Sequence, residues 1–368
     1  MTIPRKMLVL CPFPQGVAAG QRLKYEQYFD DWRQRGWQID VSSFMDRDLW
    51  GVAYQSGHVG GKILGVLRGH IRRLRDLARV RHYDLVYVFM WVAPMGTSIM
   101  ERAVRRLARK MVYDLEDNVL LGQALPKGYD PNGLIARLKS PRKAIFLISR
   151  ADHVIASSPY LRDICLQQYG ARASTYISSS VDTARFVPRA TLPEGKVTIG
   201  WTGTFSSKIY LDSLRSVFQK LAGRTDYRLR VIGNFYYELP GVDLEVIQWS
   251  KEREVVDLQG IDIGVYPLPR DDWVLGKSGL KAIQYMAFGL PTVASDAGMT
   301  PMIIRNGENG FLVREEGEWI ARLEQLILNP ELRYRLGRKA RQDAVAKYST
   351  KAITSQYRSV LAGVMGEN

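Results

Sequence analysis

Only two cysteines, Cys11 and Cys165, occur in 368 residues, and histidine is nearly as scarce, with four. Two thiols cannot build a disulfide framework and four scattered imidazoles do not form a metal-ligand cluster, so redox and zinc chemistry are not expected. Long apolar runs are missing too: no stretch approaches the roughly 20 residues needed to cross a bilayer. The chain runs from Arg5 and Lys6 straight into a strand-like Met7–Cys11 and then Pro12. That leaves no apolar core or small-residue cleavage site of a secretory signal, and the expectation is a cytoplasmic protein.

Acidic residues are also under-represented, 37 Asp and Glu against 52 Lys and Arg, which leaves a net charge of +15. An excess of this size calls for a negative partner: nucleic acid, an anionic membrane surface or a phosphorylated substrate. It concentrates in the first half, at Lys62, Arg68, Arg72, Arg73, Arg75, Arg79 and Arg81, at Arg102, Arg105, Arg106, Arg109 and Lys110, and at Arg137, Lys139, Arg142 and Lys143. Ile63, Leu64, Val66, Leu67, Ile71, Leu74 and Leu77 are interleaved at helical spacing, a basic amphipathic helix. Two readings stay open, an ordinary solvated face and a peripheral docking surface on the inner face of the cytoplasmic membrane. Nucleic acid is not expected, because no binding motif or basic tail accompanies the charge.

What the sequence does contain is a globular composition, 46% hydrophobic and 24% charged, at a length that suits two domains. Strand-length apolar runs alternate with amphipathic segments of helix length, the mark of parallel α/β architecture. In the first half strands are expected at Met7–Cys11, Gln38–Ser42, Asp84–Phe89, Lys110–Asp114, His153–Ala156 and Ser174–Ile177, with helices at Gln21–Arg35 and Met95–Arg109. Between Asp182 and Gly195 the pattern breaks, with Pro188 and Pro193 marking a linker. A second set then begins: strands at Val197–Thr202, Tyr227–Ile232, Val242–Val246, Ile261–Tyr266, Thr292–Ala294 and Gly310–Val313. Its helices are expected at Tyr210–Leu221, Leu280–Phe288, Glu316–Leu328 and Pro330–Tyr348, and a last one, Thr350–Val364, follows the sheet. Open parallel sheets bind ligands outside the carboxyl ends of their strands, so two such sheets face to face would give a two-substrate cleft.

The segment Asp262–Gly298 carries the most chemistry. A buried strand ends near Pro267, a polar loop follows, and Gly276, Lys277, Ser278 and Gly279 stand at the start of a helix that ends at Gly289. Free N–H groups at a helix start attract a phosphate, glycine lets it approach the main chain, and Lys277 adds charge. The plain alternative is a loop whose glycines serve only its turn.

This run resembles the donor-binding motif of retaining glycosyltransferases of the GT-B fold, family 4. There, two glutamates lie eight residues apart around a Gly-aliphatic pair, and the helix ends in Gly-x-Pro. Gly279 and Leu280 fall on the pair, and Gly289 with Pro291 on the Gly-x-Pro. The acids differ: Gln284 stands where the family binds ribose hydroxyls, and an amide can still donate and accept there. Gly276 stands where an acid contacts the sugar, a role Lys277, Asp271 or Asp272 would have to share. The form from Trp273 to Ala287 resembles a recurrent bacterial variant of the family.

Other segments resemble the family in the same order. Gly203 and Thr204 end a strand that meets the donor diphosphate, with Lys208 the nearest base; a plain loop lysine is the alternative. Gly233 and Asn234 match the strand end beside the nucleobase. Ala156–Tyr160, the run Val181, Asp182, Phe186 and the turn Gly307–Phe311 match further landmarks. In the first half, the loop of Gly16, Gly20 and Arg22 matches one that lies against donor diphosphate and acceptor. Asp114, Glu116 and Asp117 crowd the carboxyl end of a strand, where repulsion and desolvation raise pKa. Glu116 occupies the position at which the family commonly has histidine; helix capping by Asp114 or Asp117 is the alternative.

The resemblance implies an α/β protein of two Rossmann-like parallel-sheet domains facing across a cleft. These are an acceptor-binding domain at 1–186, a donor-binding domain at 187–348, and a helix at 349–368 returning to the first. It implies transfer of a hexose-type sugar from a nucleoside diphosphate sugar to a saccharide or polyprenyl-diphosphate-linked acceptor, in bacterial surface polysaccharide or glycoconjugate synthesis. Glu116, Asp114 and Lys277 are the catalytic candidates. The donor candidates are Gly16, Arg22, Gly203, Thr204, Lys208, Gly233, Asn234, Gly276, Ser278, Gly279, Leu280 and Gln284. No cofactor is implied and no metal, since no Asp-x-Asp site is visible. The competing expectations are a GT-B sugar-nucleotide epimerase or hydrolase and a non-catalytic nucleotide-sugar-binding scaffold. A nicotinamide dehydrogenase is disfavoured by the lack of a clean GxGxxG with its downstream acid.

Overall fold

Strands form where apolar residues run together between turns, because a parallel sheet is covered on both faces and has no solvent side to supply with polar groups. The computed structural model describes residues 4–53, 55, 57–94, 96–118, 120, 141–190 and 195–367. In the first half these runs become β1 (Arg5–Cys11), β2 (Trp37–Ser43), β3 (Leu85–Phe89), β4 (Lys110–Leu115), β5 (His153–Ala156) and β6 (Ser174–Tyr176). All pairings are parallel, in the order β2-β1-β3-β4-β5-β6. Every residue of β3 is buried, as a central strand requires. The second half gives β7 (Val197–Gly203), β8 (Tyr227–Gly233), β9 (Leu244–Gln248), β10 (Ile263–Tyr266), β11 (Thr292–Ser295) and β12 (Gly310–Val313). They form a second parallel sheet, ordered β12-β11-β10-β7-β8-β9. The order reverses between β1 and β3 in the first sheet and between β7 and β10 in the second, the crevice where such sheets take ligands.

The chain divides into two compact units. One runs to Ser178 and also takes in Gly276–Ser278 and the chain from Ile353 on; the other comprises Ser179–Leu275 and Gly279–Ala352. The expected division after residue 186 thus falls a few residues late. Contacts explain the shift: Val181 N–H donates to Tyr348 O at 3.0 Å, and Thr350 N–H donates to Val181 O at 3.1 Å. Arg341 donates to Phe186 O at 2.6 Å and to Thr183 O at 2.7 Å. The Val-Asp-x-x-x-Phe run therefore packs with the second unit.

The expected single helix Gln21–Arg35 is broken into Ala19–Arg22, a 3₁₀ turn Glu26–Tyr28 and Phe29–Gln34. Glu26 turns back to accept from Gly16 N–H at 2.8 Å, while Tyr25, Tyr28, Phe29 and Trp32 all go into the core. The helix expected at Met95–Arg109 is described only as Ile99–Leu107, and Met95, Arg137 and Lys139 lie outside the described residues. The final helix, Thr350–Met365, places Ile353, Tyr357, Val360, Leu361 and Val364 on one stripe. That stripe packs into the first unit's core, with the Tyr357 ring 4.7 Å from Tyr28 and 5.8 Å from Trp32. Among the described residues, no helix is long and apolar enough to cross a membrane.

Part of the basic excess is not on the surface at all. Arg73 is wholly buried; it donates to Val92 O, Ser42 O, Ser42 Oγ, Cys11 O and Asp76, at 2.6 to 3.1 Å. Lys143, also buried, donates to Ala93 O at 2.8 Å, and burial lowers its pKa, with Glu101 opposing. Both cations hold the loop that follows β3, so they shape the fold and do not attract a partner.

Candidate functional site

In the first unit the carboxyl ends of β1, β4 and β5 bring together much of what the sequence singled out. β4 ends at Leu115, and the strand's last inward side chain, Asp114, is fully buried. Its carboxylate lies 2.5 Å from the Lys24 ammonium, which is equally buried, and it accepts a short hydrogen bond from the Tyr87 hydroxyl. Burial pushes the Asp114 carboxyl up, and Lys24 and Tyr87 pull it back. Asp114 thus has no route to a ligand in solution; it anchors the strand end from below. Lys24 also donates to Leu115 O at 3.3 Å, which fixes the main chain that delivers the next residue.

That next residue, Glu116, is half-buried and faces the glycine loop after β1. A Cβ added at Gly20 would come within 2.6 Å of Glu116 Oε2, so glycine there lets the short helix Ala19–Arg22 close on the carboxylate. Desolvation pushes Glu116 up to about 8; Asp117 and Asp114 add to the rise, and Lys24 and Lys277 oppose it. The rise favours the protonated carboxyl, which can donate as well as accept. Asp117 adopts a left-handed φ of 57° and lies 3.5 Å from Lys277 Nζ.

The Gly276–Ser278 stretch belongs to this same unit. The acid that the family motif would place at position 276 is sterically excluded here, since a Cβ would meet Asn118 N at 2.5 Å. Ser157 Oγ at the end of β5 donates to Gly276 O at 3.0 Å, which pins the turn. Ser278 is buried. Asp271 Oδ1 accepts from Val274 N–H at 3.1 Å, so it caps a turn, and both Asp271 and Asp272 are exposed. Gly16 keeps a left-handed φ of 80°, and its N–H is already donated to Glu26. Arg22 is buried in the short helix next to it.

The second unit gathers the rest at the ends of β7 and β8 and at the helix Leu280–Ala287. Gly203 has no room for a side chain between Trp201 and Ser207, and Gly233 none between Phe235 and Gly203 O. Thr204 starts a capping box with Ser207, its N–H donating to Ser207 Oγ at 3.1 Å, and Asn234 Oδ1 accepts from Phe205 N–H at 2.9 Å. Asn234 therefore ties the two strand ends to each other. Lys208 lies 2.7 Å from Asp212 and over the Tyr237 ring at 5.2 Å, so its charge is engaged locally. Gly279 caps the helix with φ 72°, packed against Ile303. The first N–H groups of Leu280–Ala287 have no acceptor within the helix and present a partial positive charge. Gln284 is buried one turn further on, and Tyr285 OH accepts from Thr202 N–H at 2.9 Å, which joins this helix to β7.

Sequence reasoning missed Lys24, Tyr87 and Glu26, and gave no role to Asn118 or to Ser157 within Ala156–Tyr160. Lys24 was legible in part, as a cation placed directly before the aromatic run from Tyr25 to Trp32 that must face the core. Asn118 acts by close approach to Gly276 and Ser157 by a hydroxyl hydrogen bond to Gly276 O, contacts between distant segments that leave no local signal.

The chain matches the family described as "Glycosyl transferases group 1" over residues 182–343, which takes in the motif helix and the ends of β7 and β8. It is 38% identical to the putative glycosyltransferase EpsD of Bacillus subtilis, over 86% of this chain and 87% of that protein. It is 29% identical to the lipopolysaccharide core biosynthesis glycosyltransferase LpsE of Rhizobium meliloti, over 34% of this chain and 43% of that protein. Among solved structures, a sucrose-phosphate synthase from Thermosynechococcus elongatus superposes with a TM-score of 0.71 at 16% identity, over 98% of this chain and 100% of that one. Anabaena HepE in complex with UDP-glucose superposes with a TM-score of 0.63 at 18% identity, over 97% and 99%. At these identities the structural likeness establishes the GT-B fold.

Proposed function

This chain belongs to the group 1 glycosyl transferases, and we propose that it moves a hexose-type sugar from a nucleoside diphosphate sugar to a saccharide or polyprenyl-diphosphate-linked acceptor with retained anomeric configuration, as in glycosyltransferase family 4. EpsD and LpsE, by their names a glycosyltransferase and a lipopolysaccharide core enzyme, support a role in bacterial surface polysaccharide synthesis. HepE, solved with UDP-glucose, supports the donor class.

The observation that carries this reading is the turn ahead of Leu280. Gly276 and Gly279 are both held to glycine by close neighbours, the chain between them bears Lys277, and a helix start follows directly. Breaking a glycosidic bond to a diphosphate builds negative charge on the leaving oxygens. Preorganised N–H donors and a cation stabilise that charge without a metal, and this is the metal-independent role given to Leu280 and Lys277. In the second unit Gly203, Thr204, Gly233 and Asn234 form the rest of the donor wall, with Gln284 hydrogen-bonding ribose hydroxyls. In the first unit Glu116 orients the acceptor hydroxyl, with Asp114 as its positioning residue through Lys24 and Leu115.

The test is an incubation with donor, with and without a lipid-linked acceptor, followed by NMR of the product. Donor consumption should depend on acceptor, and the anomeric configuration should be unchanged from the donor. Donor breakdown at full rate without acceptor would instead identify a hydrolase or epimerase, and tight donor binding with no turnover would identify a scaffold.

A further inference from the structure

The helix Val59–Arg79 is amphipathic the wrong way round. The face it buries carries Gly65, Gly69, Arg73 and Asp76. Gly65 and Gly69 sit so close to Leu49 and Phe44 that an added Cβ would come within 2.8 and 2.7 Å of them, and Arg73 satisfies its donors inside. The opposite face carries the large apolar side chains: Ile63 is 57% exposed, Leu64 48%, Leu67 55%, Ile71 49% and Leu74 56%. These positions recur every three or four residues and so form one continuous stripe along a rod about 30 Å long. An ordinary surface helix puts such residues inward. Arg68 and Arg75, both exposed, run along one flank of the stripe, with Arg72 and Arg79 behind them.

Apolar side chains standing in water beside a line of guanidinium groups match the interface of an anionic bilayer, where acyl chains take the stripe and lipid phosphates take the arginines. We propose that this helix lies in the plane of an anionic lipid surface and holds the first unit there. Charge selects this occupant over a second copy of the chain, because two such faces would bring their arginine flanks together in a protein of net charge +15. The inference goes beyond sugar transfer and stands whether or not that reading does.

The test is co-sedimentation of the full chain at low salt with vesicles of phosphatidylcholine alone and of phosphatidylcholine mixed with phosphatidylglycerol. Pelleting with the mixed vesicles, and much less with the neutral ones, is expected. The triple variant Ile63→Ser, Leu67→Ser, Ile71→Ser should lose partitioning by about 100-fold, from the apolar area it no longer buries. Arg68→Glu with Arg75→Glu should lose at least about 30-fold, an effect that high salt reproduces in the wild-type chain. All five side chains are exposed, so both variants should keep the wild-type unfolding midpoint. Equal pelleting of the triple variant, or no pelleting of the wild-type chain, would overturn the proposal. So would a dimer in solution that the serine substitutions dissociate, since a second copy would then cover the stripe.

Discussion

At the end of β4 charge is carried by side chains packed out of water, Lys24 against Asp114 with Glu116 just above, whereas at the start of Leu280–Ala287 it is carried by the main chain, with Gly279 as the helix cap. The first arrangement is costly to assemble, because each buried ion must be matched. The second needs no buried ion pair: its amides are aided by Lys277, and the backbone cost is the left-handed turn at Gly279. This difference suits the proposed roles: a fixed carboxyl that orients one reactant, and a set of amides that meets charge only when it develops.

Breaking the buried pair should have the largest effect. Lys24→Met leaves the Asp114 carboxylate buried without its cation, and chemical denaturation should show a loss of about 3–5 kcal/mol. A second change to Asn at Asp114 should recover much of it. A loss under about 1 kcal/mol would mean that the pair is not the strut described here.

Glu116→Gln comes next and separates chemistry from binding. Turnover should fall about 100-fold with donor affinity little changed; equal losses in both would remove the orienting role. The same variant sharpens the electrostatics. Glu116 is held from its ordinary 4.5 up to about 8, so between those values the folded chain keeps a proton that the unfolded chain has released. Its contribution therefore lowers stability as pH rises through that window and levels off above it. Glutamine has no such titration, so the variant should gain stability relative to wild type on going from pH 5 towards pH 8. A constant difference across that range would contradict the shift.

Lys208→Ala should have the smallest effect. Its ammonium is already engaged by Asp212 and Tyr237, so donor affinity should change by no more than about threefold. A larger loss would place a side-chain cation among the donor-binding groups of the second unit.

Much of the fold could be read from the chain because buried parallel strands announce themselves as short apolar runs, and the two sheets follow those runs within a residue or two. The broken helix at Gln21–Arg35 could not, because Glu26 leaves the helical path for an amide ten residues back, a tertiary contact that no periodicity encodes. The motif turn was legible for the opposite reason: its glycines and helix start are local. The meaning of Gly276 was not, since the neighbour that forbids a side chain there is Asn118, far away in sequence. Arg73 and Lys143 were misleading by composition alone, since a cation that feeds carbonyl groups in the core counts the same as one on the surface.

The most direct measurement is calorimetric titration of the full chain with a panel of UDP-, ADP-, GDP- and dTDP-sugars. At least one should bind in the micromolar to millimolar range, and its free nucleoside diphosphate should compete for the same site. A panel in which none binds, or in which the sugar binds without its diphosphate, would contradict the proposed function.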